Sequence, residues 1–484
     1  MVLGWTDYLV IAAYVVGITA FGSYFARFQK SRRDYFLSDR SVPWWAVCFT
    51  VVATETSTLT FIGVPAAAYA GNMTFLQIVI GYILGRIVIS ALFIPAYFKG
   101  ELFTSYELLR QRLGSVVKNL SAIVFLVTRS LADGIRLFAT ALVIAVVTGV
   151  PVPVTILITG AVMIVIATRG GVAAVIWTDV VQLFVYVAGA LVVFVALLNR
   201  IPGGWSEMIA VGAAAGKFRV IDLSVDVSKP YTLWAGILGG MALTLSTHGT
   251  DQFLVQRLLA ARSARDAARG LILSGVLVLG QFGLFLMIGV MLYTFYQHHP
   301  LTAPLSRNDA ILPTFIIDQL QGGPAGFIMA AIVAAALSPS LNAMAATTVN
   351  DFYLIYVRSD ADERRLMWIS RAATVLWGVV QIGVALAAQL MTQSVLDAGL
   401  SVLSLASGSV LGAFLIGTLM PGLSRRATVA GMVAGMAVMA WVWTATTVAF
   451  TWYVLIGTCT TIAVAWCGSW WRSSQPLTQG PGKK

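Results

Sequence analysis

The feature that most constrains this chain is a repeated one: long, mostly apolar runs divided by short polar connections. The runs lie near 5–26, 43–70, 74–98, 119–147, 151–168, 172–197, 231–255, 270–296, 313–345, 367–390, 395–420, 427–444 and 447–471, about thirteen in all. A helix needs about 20 predominantly apolar residues to cross the hydrocarbon core of a bilayer, so each run is a candidate span. Composition agrees. Only 11% of the 484 residues are charged and 58% are hydrophobic, against roughly 25% charged in soluble domains. Too few polar side chains are present to coat a water-facing globule of this size. The expected fold is an all-α membrane protein in contact with the lipid bilayer. Residues 1–472 are expected to form a single transmembrane domain and 473–484 a cytoplasmic tail.

Basic residues alternate along the connections. Arg27, Lys30, Arg32, Arg33 and Arg40 follow the first run, and Lys99, Arg110, Arg112 and Lys118 follow the third. Later alternate connections hold Arg169, then Arg257, Arg262, Arg265 and Arg269, then Arg358, Arg364 and Arg365, then Arg425 and Arg426. The short connections 71–73, 148–150 and 391–394 have none. By the positive-inside rule every second connection is cytoplasmic, which puts the N-terminus outside, the C-terminus inside and the chain in a plasma membrane, a bacterial inner membrane by expectation. The longer connection 198–230 is expected to cap the outer face. Asp7 precedes the first apolar run and the basic cluster follows it, the reverse of a secretory leader. The net charge of +11 forms no single patch, which argues against nucleic acid as a partner. No obligatory protein partner is evident. Cys48, Cys459 and Cys467 lie in apolar surroundings without metal-like spacing and read as core or lipid-facing residues.

Two runs carry polar interruptions. The second contains Ala53-Thr54-Glu55-Thr56-Ser57-Thr58-Leu59-Thr60; the seventh begins with Gly236, Gly239 and Gly240 and contains Ser246-Thr247-His248-Gly249-Thr250-Asp251-Gln252. Paired interrupted segments in two halves point to an inverted-repeat transporter, because irregular backbone at membrane depth survives only against a cavity or inside protein. The expectation is a five-plus-five repeat, 43–197 and 231–420, with one span before it and two after.

Ionisable residues within spans cost roughly 2.5–3.5 kcal/mol each on insertion scales and default to functional hypotheses. Those here are Glu55, Arg86, Arg129, Asp133, Arg136, Asp179, Asp251 and Asp397. Arg129, Asp133 and Arg136 share one helix face by spacing; they form either a self-neutralising structural set or a site in which one arginine holds an anionic or polyhydroxylated solute. Glu55 is either a ligand for a cationic or hydroxyl-bearing solute or a proton acceptor in the cavity, or the buried ion-pair partner of Arg86 or of an arginine of that set. Asp251 reads as an inner-gate ion pair with the nearby Arg257, and Asp397 as solvated. In 334–351, Ser338, Ser340 and Asn342 surround Pro339. A proline frees a carbonyl one turn earlier, and carbonyls with hydroxyls are hard donors that suit sodium; the alternative is a small-residue helix interface with a proline kink. Glu55, Ser57, Thr58, Thr60, Gln77, Tyr82, Arg136 and His248 are the candidates for contact with a solute, chosen from the interrupted segments and their neighbours.

The chain resembles the sodium/solute symporter family, which includes sodium–glucose, iodide, proline and sialic acid carriers. The resemblance rests on the joint order of several stretches: Asp34-Tyr35-Phe36 ahead of Pro43-Trp44-Trp45, Gly81-Tyr82-Ile83-Leu84-Gly85-Arg86, Ser105-Tyr106-Glu107-Leu108-Leu109 with Leu113-Gly114, and Asp133-Gly134-Ile135-Arg136-Leu137. It continues through Ile176-Trp177-Thr178-Asp179-Val180-Val181-Gln182, Gly249-Thr250-Asp251-Gln252 with Val255-Gln256-Arg257, and Leu341-Asn342-Ala343 to Val349-Asn350-Asp351. It implies the leucine-transporter type of fold and alternating access about a midplane cavity. It also implies a sodium site built from the carbonyls of Ala53 and Thr56 and oxygens of 334–340, with Ser338 and Ser340 among them. Asp179 falls at a second sodium site of some members. Two departures stand out. The hydroxyl-rich run before Leu341-Asn342 is about three residues short, so that either Ser338 and Pro339 or Ala335 and Ala336 occupy the hydroxyl positions. Glu55 stands where members usually have an uncharged residue.

The function expected is sodium-coupled import of a small polar organic solute (sugar, sugar acid, amino acid or organic acid), with sodium as the coupling ion. A proton-coupled or ion-independent carrier of the same fold is the alternative. An enzyme is not expected: no HExxH pattern, nucleophile elbow or pair of intramembrane histidines occurs.

Overall fold

The computed structural model describes residues 4–100, 102–301, 305, 308–320, 323–336, 340–390, 395–420 and 422–473. Among them the only extended pairing is an isolated bridge between Val42 and Ala261. The helices, in chain order, are α1 (Trp5–Tyr24), α2 (Arg32–Leu37), α3 (Trp44–Glu55), α4 (Thr58–Ala70), α5 (Leu76–Tyr97), α6 (Ser105–Leu113), α7 (Ser115–Thr148), α8 (Val152–Arg200) and α9 (Gly204–Ala214). A π-turn (Ala235–Gly239) then opens α10 (Gly240–Gly249), followed by α11 (Gln252–Leu259), α12 (Ala264–His298), α13 (Ile311–Gln319), α14 (Pro324–Ala336) and α15 (Leu341–Thr347). α15 continues as a π-helix, Thr348–Val357, before α16 (Glu363–Ala388), α17 (Val395–Leu419), α18 (Arg425–Ala445) and α19 (Tyr453–Ser473).

Among the described residues seven helices are long and apolar enough to cross a membrane alone, or eight if the bent pair α3–α4 is one span. The rest of the thirteen passes do not show as single apolar rods. α7 carries Lys118, Arg129, Asp133 and Arg136 within its length. The seventh pass is broken between α10 and α11, and the ninth is divided between α14 and α15. α8 holds two passes, divided at Gly171, whose φ of 59° lies in the left-handed region. A side chain there would come within 2.7 Å of the Tyr35 carbonyl oxygen, so glycine is required both for the turn and for the seating of α2 against it. The expected run 313–345 divides differently from its sequence reading: α13 ends at Gln319 and the pass itself begins at Pro324.

Two groups of helices pack separately before they meet. α3, α4, α5, α10 and α12 form one, and α7, α8, α14 and α16 the other. The tightest crossing lies in the first group. A Cβ on Gly81 would sit 2.1 Å from the Gly236 carbonyl oxygen, and one on Gly240 2.6 Å from that of Ile78. Small residues let helix backbones approach closely where lipid supplies no hydrophobic drive. Gly81→Ala is therefore expected to lower thermal stability sharply or prevent recovery of folded protein. Gly17→Ala has nothing within 4 Å and should match or exceed the parent. Equal melting temperatures for the two variants would contradict this crossing.

The basic connections gather at one end. Arg40 donates to the Gly100 carbonyl at 3.2 Å, Arg262 to that of Ser41 at 2.9 Å, and the Arg32 amide to Glu363 at 2.9 Å. The opposite end is covered by connection 198–230. Its Lys217 donates to the carbonyls of Tyr69 (2.7 Å) and Gly71 (2.9 Å), tying that cover to the end of α4.

Candidate functional site

The hydroxyl-rich run in the second span breaks its helix at Thr56. α3 ends there because Thr56 turns to φ −86°, ψ 91°, and Ser57 restarts the chain as the N-cap of α4, accepting from the Thr60 amide. The two halves meet at 59°. Thr58 donates to the Ile332 carbonyl of α14 at 3.1 Å and accepts from Thr140 of α7 at 2.9 Å. The break therefore rests directly against the other helix group. Gln281 of α12 donates to the Thr56 hydroxyl at 2.8 Å. Breaks of this kind expose backbone carbonyls, hard oxygen donors suited to sodium. Of the other half of the expected ion site, Ser338 lies outside the described residues. Ser340 is buried and accepts from Gln381 of α16 at 3.2 Å.

A cavity of about 210 Å³ opens beside this break. Thr54, Glu55 and Thr60 line it from the second span, Tyr82 from α5, Arg129 and Arg136 from α7, and Thr244, Thr247 and His248 from α10. Phe75, Ile78, Phe282 and Phe450 supply apolar wall, and Phe253 with Leu254 lies beside Arg129. Five of the eight residues expected to contact a solute are thus brought together: Glu55, Thr60, Tyr82, Arg136 and His248. Three are not. Ser57 is spent on capping α4 and Thr58 on bridging to α14 and α7. Gln77 is fully buried and clamps connection 198–230, accepting from the Asp222 amide at 3.0 Å and donating to the Tyr231 carbonyl at 3.0 Å. Their hydrogen bonds go to backbone and, for Thr58, also to the Thr140 hydroxyl, which residue type alone does not disclose. Thr54, Thr244, Thr247, Phe253, Ser404 and Phe450 were missed by the sequence reading. Thr244, Thr247 and His248 share a helix face by their spacing of three and four, a signal that was available; Phe450 sits between α18 and α19 and carried none.

The charges divide into three groups. Glu55 pairs with Arg86, and its second oxygen lies 3.0 Å from Nε2 of His248. His248 Nδ1 meets the Thr247 hydroxyl at 2.9 Å. This group joins α3, α5 and α10, and the Glu55–Arg86 pairing follows the structural reading of both residues. In the second group Arg129 pairs with Asp251 and approaches Asp133 at 3.5 Å. In the third Arg257 donates to Asp179 at 3.0 Å, and Asp179 also accepts from Thr50 at 2.5 Å. The expected Arg257–Asp251 pair is therefore corrected. Asp251 turns its carboxylate across to α7 while capping α11 through the Phe253 amide, and Arg257 reaches α8 instead. The side chain of Arg136 has no ion-pair or hydrogen-bond partner among the described residues and lines the cavity; its carbonyl accepts from the Thr140 hydroxyl at 3.0 Å. The side chain of Asp397 lies outside the described residues.

Two discontinuous spans around a polar cavity, braced against a second helix group, define a secondary transporter of the inverted-repeat class. More particularly, the chain belongs to the sodium:solute symporter family, which matches residues 35–438. It is 30% identical to the sodium/iodide cotransporter of Homo sapiens over 86% of its own length, and spans 65% of the length of that relative. It is 30% identical to the sodium/sialic acid symporter NanT of Aliivibrio fischeri, over 96% of this chain and 92% of the relative. The sodium-coupled monocarboxylate transporter 1 of Homo sapiens is 31% identical over 90% of this chain and 73% of its own. Among solved structures, the substrate-bound outward-open state of a Na⁺-coupled sialic acid symporter superposes with a TM-score of 0.90 at 25% identity, covering 99% of this chain and 100% of that one. Mhp1, a nucleobase-cation-symport-1 family transporter, shares the fold with a TM-score of 0.59 at 13% identity, over 92% and 96% of the two chains. Sodium-coupled symport of a small solute is the activity of the family, and sodium its coupling ion.

Proposed function

We propose that this chain imports a small organic anion with sodium, and that a carboxylate is the group it recognises. The observation that carries this is Arg136. The guanidinium groups of Arg86 and Arg129 are each spent on a carboxylate, whereas that of Arg136 faces the cavity and pairs with none among the described residues. An arginine fork matches a carboxylate with two parallel hydrogen bonds. Around the cavity floor the formal charges of Arg129, Arg136, Asp133 and Asp251 cancel, so a bound anion leaves a negative charge that a sodium ion at the nearby break offsets. The apolar wall of Phe75, Ile78, Phe282 and Phe450 favours an aliphatic or aromatic remainder on the solute. The relatives transport iodide, monocarboxylates and sialic acid, all anions.

In this reading the sodium ion sits against the carbonyls of Ala53 and Thr56 and the oxygens of 334–340, with Asp179 at a second position. Sodium binding favours the state open at the cavity mouth, since a ligand shifts a conformational equilibrium only by binding one state better. The end bearing the basic connections is cytoplasmic, the N-terminus is outside, the membrane is the bacterial inner membrane, and 43–197 and 231–420 are the two repeats. The solute crosses without chemical change.

A thermal-shift screen in sodium chloride against choline chloride tests this. Acetate, pyruvate, benzoate, N-acetylneuraminate, glucose and proline form the panel. At least one of the four carboxylate anions is expected to raise the melting temperature in sodium and not in choline, through stabilisation of the native state; zwitterionic proline and glucose are the controls. Stabilisation by glucose alone, or equal shifts in choline, would overturn the reading.

A further inference from the structure

A single aromatic ring beside the solute cavity is approached by two guanidinium groups. Phe253, which lines the cavity and is buried, has the Arg129 guanidinium carbon 4.7 Å from its ring centre and that of Arg257 4.4 Å away. The backbone of the same residue also touches the hydrogen-bond network of each arginine. Arg257 donates to the Phe253 carbonyl at 2.6 Å, and the Phe253 amide donates to Asp251 at 2.9 Å, the aspartate paired with Arg129. Arg257 in turn holds Asp179 through Nη2 at 3.0 Å and Nε at 3.3 Å, and Nε also reaches Thr50 at 3.1 Å. One residue thus joins the cavity floor on α7 and α11 to the carboxylate on α8.

We propose that Phe253 and Arg257 are positioning residues that couple a cation at Asp179 to the floor of the solute cavity. This rests on the sodium-coupled reading above. The physical step is a competition. A sodium ion that takes up the Asp179 carboxylate weakens the hold of that carboxylate on Arg257, because both cations draw on the same negative charge. Arg257, which in this structure is held by Asp179 and by the Phe253 carbonyl at once, then keeps the second hold alone and can settle further over the ring. Its shift alters the ring face that Arg129 shares, since a cation above an aromatic face is held by the quadrupole of the ring. The Arg129–Asp251 pair, which closes the floor of the cavity, is thereby biased from the ion site. An element with two arrangements that both sites bias is what such coupling requires, and the labelling ratio between sodium and choline is its readout. The ring face, and not merely its volume, is the working part.

The test uses full-length protein in proteoliposomes, with the exposed Cys459 and Cys467 replaced by serine and Ser404→Cys introduced as a reporter on the cavity wall. Labelling by a membrane-impermeant maleimide from the cavity-mouth side is timed in sodium chloride and in choline chloride. Sodium alone is the ligand used. In the parent, sodium is expected to speed labelling about fivefold or more. Phe253→Leu keeps an apolar side chain without a ring face. It should still be thermally stabilised by sodium, with a half-saturating concentration within about threefold of the parent, yet the labelling ratio should fall to about one. Phe253→Trp should restore the ratio, and Arg257→Lys should restore part of it. A Phe253→Leu protein that keeps the full ratio overturns the proposal. So does one that loses sodium stabilisation together with the ratio, for Phe253 would then belong to the ion site or the fold itself. A parent that shows neither response to sodium instead removes the sodium-coupled reading, a distinct outcome. If Phe253→Leu fails to fold, the Trp and Lys variants decide: loss of the ratio in Phe253→Trp with sodium stabilisation intact contradicts coupling through the ring.

Discussion

Arg136→Ala is expected to cost carboxylate uptake about 30-fold or more, read as the ratio of kcat/KM in proteoliposomes. Truncating one partner of a desolvated charged contact typically costs about 2–5 kcal/mol, and each 1.4 kcal/mol is a factor of ten. Because Arg136 forms no direct ion pair among the described residues and feels Asp133 only at longer range, its removal should lower the melting temperature of the solute-free protein less than removal of Arg129. It should abolish the stabilisation that the carboxylate confers. Arg136→Lys keeps the charge but not the planar fork, and should fall between the two. A purely structural arginine would give the reverse pattern, with lost stability and intact uptake per folded molecule.

Glu55→Ala is expected to act through stability first. The Glu55 side chain is 12% exposed and that of Arg86 is fully buried. Arg86 Nε and Nη1 already have no partner, so removal of the carboxylate leaves a buried guanidinium uncompensated. Breaking such a pair on one side costs about 3–5 kcal/mol, expected here as a fall in melting temperature on the order of 5 °C. The double variant Glu55→Ala/Arg86→Met removes both charges and fills the space of the longer side chain. It should be more stable than Glu55→Ala alone, since replacing both members of a buried pair is often close to neutral. A double variant less stable than the single one would show that Arg86 is held by something other than Glu55.

These two residues also show how far the sequence could be read. The apolar runs and alternating basic connections are one-dimensional signals, and the thirteen passes follow from them. The break at Thr56 was visible because hydroxyl residues compete with helix backbone for hydrogen bonds. Glu55 and Arg86 could be matched because they lie on consecutive spans and few partners exist. Asp251 and Arg257 show where such matching stops. They are six residues apart in the chain, yet each finds its partner on a different helix, Arg129 of α7 and Asp179 of α8. Which carboxylate an arginine takes depends on how α11 is rotated between those helices, and no spacing rule encodes that rotation. Ser57, Thr58 and Gln77 were misread for a related reason. A polar side chain beside a break can face the cavity or be taken up by structure around it: Ser57 caps the restarted helix, Thr58 ties the break to α14 and α7, and Gln77 holds connection 198–230.

Uptake into proteoliposomes of the carboxylate that most stabilises the protein tests the central claim most directly. With sodium outside and choline inside, the solute is expected to accumulate above its external concentration, and accumulation should vanish when choline replaces sodium on both sides. Equal accumulation in choline would contradict sodium coupling and leave a proton-coupled or ion-independent carrier in its place.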